Sequence, residues 1–379
     1  MKQLLLIPIL CCMNLDAAED FPLLKKQLDE EITKHEIVGG LVQTGNRDGV
    51  MRQEMSGLAD METNRAIQAD DLFWIASMTK PITGTAVMML HERGKLNIHN
   101  PVAKYLPEFA DLKDAQGKHM IITIAQCMQH SSGLSDVPRG ADAEFENLAD
   151  LTKHVVTLPV NFPPDQKWSY CQSGINTAAR VVEVVSGKSF EAFVAEELFQ
   201  PLGMKDTTFS PSAEQMKRLC KAYQKSSVTE WKKASLNFLL GDPGANKKRY
   251  PRANGGLFST AADYGRFARM ILRGGELDGR RYLNEETVRE MTRVHTGDLA
   301  TGFTPGNGWG IGWCVIRKPQ GVTAILSPGS HGHGGAFGTQ CWIDPVKQRY
   351  FLFLVQRSDF ANADGSATRQ SLQEKAFAP

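Results

Sequence analysis

Beyond its first thirteen residues this 379-residue chain has no apolar run long enough to cross a bilayer as a helix, so no membrane anchor is expected in the mature chain. It also lacks an excess of either charge: 43 Lys+Arg face 42 Asp+Glu, a formal net charge of +1. Such balance provides no field to gather nucleic acid, and no basic stripe stands out. The short Lys247-Lys248-Arg249 run reads as a solvated loop. No C-x-x-C occurs among the seven cysteines, which excludes a zinc ribbon or a thioredoxin-like redox site. His331 and His333 are read as facing opposite sides of a strand with no third ligand near, so neither a metal nor a cofactor is expected. There are no repeats and no low-complexity tract. The absence of G-x-S-x-G sets aside the α/β-hydrolase architecture.

What is present starts at the N-terminus. Met1-Lys2 precedes the apolar run from Leu4 to Met13, with small residues at Ala17 and Ala18. That run is too short to span a membrane but suits a secretory signal, so residues 1–18 are read as an export segment and the mature protein as periplasmic or secreted. Its removal leaves Cys127, Cys171, Cys220, Cys314 and Cys341, read as buried thiols, although Cys314 and Cys341 both fall in strand-like segments that could meet.

Leu23, Leu24, Leu28 and Ile32 recur at helical spacing across 20–36. Strands are expected at Ile37–Thr44 and Val50–Leu58, joined by the turn Gly45-Asn46-Arg47-Asp48-Gly49. A helix should run from Met78 to about Arg93, with Pro81 in its first turn and Gly94 ending it. Further helices are expected over Asn176–Ser186, Phe190–Phe199, Ala261–Arg273 and Thr368–Ala376, and strands over Gly310–Arg317, Gly321–Leu326, Gly338–Ile343 and Tyr350–Gln356. This order predicts an α+β fold. Strands from both chain ends (about 19–76 and 250–379) would share one antiparallel sheet flanked by helices. A helical lobe over about 77–249 would border it, with the site between the two.

The chemistry centres on Ser77-Met78-Thr79-Lys80, an S-x-x-K motif. Residues three apart share a helix face, so the Lys80 amine can reach the Ser77 hydroxyl. A desolvated lysine has a lowered pKa and can act as the base that a serine nucleophile needs. The motif alone is weak, because one chance match is expected in a chain of this composition. Two further segments give it context. Trp168-Ser169-Tyr170 stands just before an apolar helix, where a tyrosine hydroxyl can enter a cleft. The glycine-rich stretch from Ser330 to Gly338 opens a strand whose backbone can approach a ligand closely. An N–H from it, with that of Ser77, could form an oxyanion hole.

Together these segments resemble the serine β-lactamase-like superfamily, in the branch of class C β-lactamases, D-alanyl-D-alanine carboxypeptidases and family VIII carboxylesterases. Phe73–Lys80 looks like its nucleophile segment. Gln129-His130-Ser131-Ser132-Gly133-Leu134 is similar to its H-T-S-G-L landmark, and Trp168-Ser169-Tyr170 falls where its Y-x-N motif begins. Gly255–Asp263 looks like G-G-L-x-S-T-A-x-D, and His333-Gly334-Gly335 occupies the place of K-T-G. The resemblance covers nearly the whole mature chain and implies a β-lactamase/transpeptidase-like fold. It makes Ser77 the acylated nucleophile, with Lys80 and Tyr170 sharing the base and acid roles. The oxyanion hole would be the N–H groups of Ser77 and Ala336, and Gln172, His333, Gly334 and Gly335 would contact substrate. The expected partners are small-molecule esters, amides or β-lactams. Two positions depart from the pattern: Gln172 replaces asparagine, and His333 replaces a lysine that holds a substrate carboxylate. Both point toward an esterase-like hydrolase, with a β-lactamase or D-alanyl-D-alanine carboxypeptidase as the alternative. An inactive binding homologue fits less well, because Ser77, Lys80 and Tyr170 are all present.

Overall fold

The two ends of the chain are sewn into one sheet by residues 39–60 and 307–355. The computed structural model describes residues 21–138, 140–141, 145–236, 250–302, 304–360 and 363–378. The expected export segment and the Lys247-Lys248-Arg249 run lie outside the described residues. The leading strands are β1 (Gly39–Asn46), β2 (Val50–Asp60) and β3 (Arg65–Ala66). The trailing ones are β4 (Asn307–Trp309), β5 (Cys314–Ile316), β6 (His331–Gly334), β7 (Gln340–Asp344) and β8 (Arg349–Val355). They form one open sheet in the order β4-β5-β6-β7-β8-β1-β2-β3, with antiparallel neighbours. The ends join where β1 pairs with β8, from Gly40 opposite Val355 to Asn46 opposite Arg349. The β1–β2 turn forms because the Asn46 side chain accepts from the backbone N–H groups of Asp48 at 2.8 Å and Gly49 at 3.0 Å.

Strand β8 shows why the sheet needs helices on both faces. Tyr350, Leu352 and Leu354 enter one apolar cluster, while Phe351, Phe353 and Val355 enter another. The helices that frame the sheet and the site are α1 (Phe21–Thr33), α2 (Thr79–Glu92), α3 (Ile124–Met128), α4 (Leu148–Val155), α5 (Gln172–Ser186), α6 (Ala261–Leu272) and α7 (Ala367–Phe377). Leu24 and Leu28 of α1 join Leu372 and Phe377 of α7 over the Phe351 face. Tyr264, Phe267 and Ala268 of α6 cover the Tyr350 face, in the cluster that continues into α2 and α5. Helix α2 is buried from Thr79 to Leu90. It lies so close to the β4–β5 turn that a Cβ on Gly84 would stand 2.1 Å from the Ile311 carbonyl oxygen. That contact seats α2 against the sheet, and the helix packs on α5 as well. The helical lobe also carries a short hairpin, Tyr223–Lys225 with Trp231–Lys233, which bridges to Arg357.

Several local readings change. Gly321–Leu326 is not a strand: Gly321–Thr323 is a 3₁₀ turn, closed by the Thr323 hydroxyl donating to the Gln320 carbonyl at 2.8 Å. Of the expected strand Gly310–Arg317 only Cys314–Ile316 (β5) is strand, because Gly310–Trp313 is the turn that joins it to β4, with Gly312 at φ +80. Cys314 and Cys341 do not meet, because β6 lies between their strands, and every described cysteine is a free, buried thiol. His331 and His333 pair with Ile343 and Cys341 on β7 and, two residues apart on one strand, share a face.

Candidate active site

Ser77 stands on a backbone turn that its neighbours hold from several directions. Phe73–Trp74 pairs with Phe258–Ser259, the Trp74 indole donates to the Gly255 carbonyl at 2.7 Å, and Ile75 N–H donates to Leu257 O at 3.0 Å. Ala76 then takes a left-handed φ of 47°, a conformation that costs a residue with a side chain about 1–2 kcal/mol. The Thr79 hydroxyl restrains this turn: it donates to Ala76 O at 2.7 Å and accepts from Leu257 N–H at 3.2 Å. The Tyr264 hydroxyl donates to Met78 O at 2.9 Å. Residues Ala76–Met78 form a 3₁₀ turn that runs into α2 at Thr79. Ser77 is half-buried, while Lys80, one turn later, is fully buried.

The Lys80 side of Ser77 is lined with oxygen. Its Nζ lies 3.1 Å from Ser77 Oγ, 2.9 Å from Gln172 Oε1 and 2.7 Å from the Asn254 carbonyl oxygen. Burial holds the ammonium down to about 7, against the pull of Asp136. A neutral amine has two N–H bonds and one lone pair. Two of the three partners only accept, so in that state both protons go to Gln172 and Asn254 and the lone pair faces the serine hydroxyl. Gln172, despite its extra methylene, keeps contact with the lysine. It opens α5, where Asp136 Oδ1 accepts from the N–H groups of Gln172 at 2.7 Å and Ser173 at 2.8 Å.

The Tyr170 side is lined with rings. The Tyr170 hydroxyl donates to Ser77 Oγ at 2.9 Å, and Lys80 Nζ sits 4.5 Å from its ring centre. His130, Trp168, Trp309 and His333 surround it, with ring centres 4.5 to 6.1 Å from that of Tyr170. Burial raises the phenol pKa well above its ordinary value, although the bond to Ser77 opposes the shift. His130 Nδ1 accepts from Cys171 N–H at 3.1 Å, which places its ring proton on Nε2. His333 is the reverse: Nδ1 lies 2.7 Å from the Gly334 carbonyl and must donate, leaving Nε2 as a bare acceptor. Burial and the nearby Lys80 push His333 down to about 3, so it is neutral near pH 7.

The strand beyond His333 closes the remaining side. Gly335 N–H donates to Thr339 O at 2.6 Å, and the Thr339 hydroxyl donates to Ile75 O at 3.3 Å, which fastens the turn carrying Ala336 beside the nucleophile segment. Ala336 itself is exposed at that turn. A Cβ on Gly334 would meet Asp364 and Gln340, and one on Gly335 would meet Thr339 and the Ile75 carbonyl. Protein neighbours alone thus account for glycine at both positions. The structure brings Ser77, Lys80, Tyr170 and Gln172 into direct contact, and sets His333 against Tyr170.

Two participants, Asn254 and Asn176, escaped the sequence reading. Asn254 contributes its backbone oxygen to Lys80 and its side-chain amide to Gln172 at 2.9 Å. Its one sequence signal is its place just before the Gly255-Gly256 landmark. Asn176 bonds Asn254, and Trp309 packs edge-on to both His130 and His333. Asn176 carries no local sequence signal of such a role, whereas Trp309 stands in the glycine-rich stretch Gly306–Gly312.

The beta-lactamase family model matches residues 24–375. The chain is 27% identical over 374 residues to esterase EstB of Burkholderia gladioli, covering 90% of this chain and 92% of that one. It is 31% identical over 322 residues to penicillin-binding protein 4 of Amycolatopsis lactamdurans, covering 83% and 79% respectively. Among solved structures, EstCE1, a hydrolase with promiscuous acyltransferase activity, superposes with a TM-score of 0.82 at 21% identity, covering 95% of this chain and 98% of that chain. At that identity the superposition speaks for the fold alone.

Proposed function

The chain belongs to the beta-lactamase family and is a serine hydrolase of the beta-lactamase fold; from that premise we propose that it hydrolyses carboxylic esters through an acyl-enzyme on Ser77. The observation that carries this reading is Lys80: buried, held near 7, and 3.1 Å from the Ser77 hydroxyl. Lys80 takes the Ser77 proton as Oγ attacks the ester carbonyl. The N–H groups of Ser77 and Ala336 receive the negative charge that develops on the carbonyl oxygen. Collapse breaks the bond to the alcohol oxygen, and the proton on Lys80 passes to that oxygen through Tyr170. Water, activated by the same lysine, then attacks the acyl-enzyme and releases the acid.

His333 supports an ester over a substrate that carries a carboxylate. A lysine in its place would present a fixed positive charge, whereas this imidazole presents a lone pair. The retained Gln172–Lys80 contact and the penicillin-binding relative support the second reading, action on β-lactams or peptidoglycan peptides. Hydrolysis of p-nitrophenyl butyrate by wild type and Ser77→Ala tests the proposal. Loss of at least a thousandfold, about the size expected when an activated nucleophile is removed, supports it. Equal rates in the two proteins refute it. Nitrocefin turnover faster than ester turnover, with a penicilloyl adduct on Ser77, would favour the second reading.

A further inference from the structure

We propose that Asn254 and Asn176 are positioning residues: they lock the Gln172 amide with its oxygen toward Lys80, and so govern how readily Lys80 gives up its proton. The inference rests on Lys80 acting as the base toward Ser77. An amide side chain can present either oxygen or nitrogen to a neighbour, so its orientation must be set by a group with no such freedom. The backbone N–H of Asn254 is that group. It can only donate, and it meets Asn176 Oδ1 at 3.3 Å. Asn176 Nδ2 is thereby turned to Asn254 Oδ1, at 3.0 Å. That leaves Asn254 Nδ2 to donate to Gln172 Oε1 at 2.9 Å, and the same oxygen accepts from Lys80 Nζ at 2.9 Å. One backbone donor therefore fixes three amides in series, ending on the lysine.

The fold supports this arrangement at each end. Asn176 follows Gln172 by four residues on α5, which places both on one helix face. Only 3% of Asn176 is exposed. An amide in such surroundings is costly unless bonded, and Asn254 supplies the partner. The segment carrying Asn254 is itself pinned to α2 by the Thr83 hydroxyl, which donates to Ala253 O at 2.7 Å. Asn176 thus reaches the lysine through two other amides.

The direction of the effect follows from charge. An oxygen facing the ammonium stabilises its protonated form, while burial destabilises it. If the lock is released, the Gln172 amide can turn away or present its nitrogen, and the protonated form loses an acceptor. Lys80 then loses its proton at lower pH, but is held less firmly toward Ser77.

The test is the rate at which a fluorophosphonate probe labels Ser77, measured across pH 5 to 9. It compares wild type, Asn176→Leu, Asn254→Ala, Gln172→Ala and the double variant Gln172→Ala/Asn176→Leu, each checked by thermal melting. The expected result is an acid-limb midpoint about one pH unit below wild type in both asparagine variants, as for one lost bond to a charged group. The plateau should fall about tenfold, and the double variant should match Gln172→Ala, because Asn176 acts through Gln172. A merely structural role would lower the melting temperature and leave the midpoint in place. If Asn176→Leu does not fold, Asn254→Ala, which alters a half-buried side chain, carries the test. Midpoints within 0.2 units of wild type (about the error of such a fit), or an additive double variant, overturn the inference while the hydrolase reading stands. No labelling of wild-type Ser77 at any pH refutes that reading and this inference together.

Discussion

On the Lys80 flank of Ser77 the neighbours are amides and a carbonyl, whereas on the Tyr170 flank they are rings. Both flanks are dry, and dryness pushes both groups toward their uncharged forms. For a lysine that means a lowered pKa, here about 7; for a tyrosine it means a raised one. One physical effect therefore places a neutral amine and a neutral phenol on the same hydroxyl, Lys80 at 3.1 Å and Tyr170 at 2.9 Å, as the proposed base and acid require. The flanks differ in how they treat the charge that appears during turnover. Oxygens on the first side can accommodate the lysine once it is protonated. The rings on the second side offer a phenolate little, which is why the proposed mechanism makes Tyr170 a donor and relay and Lys80 the base.

Three changes would break or sharpen that contrast, from the largest effect down. Lys80→Ala removes the base and should lower kcat/KM for p-nitrophenyl butyrate by about a thousandfold, near the middle of the range for general-base catalysis. A loss under tenfold would move the base to the tyrosine flank. Tyr170→Phe should cost about a hundredfold, because it removes a proton donor and leaves the base in place. The pH profile separates the two roles. Lys80 is protonated, and so unable to accept, below about 7. The logarithm of kcat/KM should therefore rise with unit slope up to that pH and level off above it. Tyr170→Phe should keep this midpoint; its disappearance would mean that a tyrosinate is the base. The smallest effect should come from His333→Lys, which replaces a neutral acceptor with a cation. Relative to an uncharged ester of the same size, a carboxylate-bearing ester should gain about tenfold in kcat/KM, as expected for one charge pair at moderate screening. An unchanged ratio would separate His333 from substrate charge selection.

The fold was readable where the pattern is local and repeated. Tyr350–Gln356 is read as a strand, and β8 pairs with β1 as the grouping of strands at both chain ends requires, its continuous apolar run Tyr350–Val355 buried on both faces. Reading failed where a few side chains decide the backbone. The apolar residues of Gly321–Leu326 suggest a strand, but the bonds between Gln320 and Thr323 coil it into a turn. In the site, Gln172 was visible as a departure from a motif. Asn254 was not, because its bond to Lys80 is made by a backbone oxygen that any residue carries, and its side-chain amide meets partners 78 and 82 residues away along the chain.

By itself the sequence determined that Ser77 and Lys80 meet. Ser77 and Lys80 stand three positions apart, and that spacing brings amine and hydroxyl together in any fold that keeps the helical turn. It also marked Tyr170 and the glycine-rich strand through His333 as the segments to be gathered around the pair. Only the tertiary structure decided what that pair can do near neutral pH. Lys80 lies under Tyr170, against Gln172 and against the Asn254 carbonyl, groups 90 to 174 residues away along the chain. Desolvation is the sum of everything that excludes water from an atom. No short stretch of sequence holds that sum, and here it separates a base poised near 7 from an ordinary surface lysine.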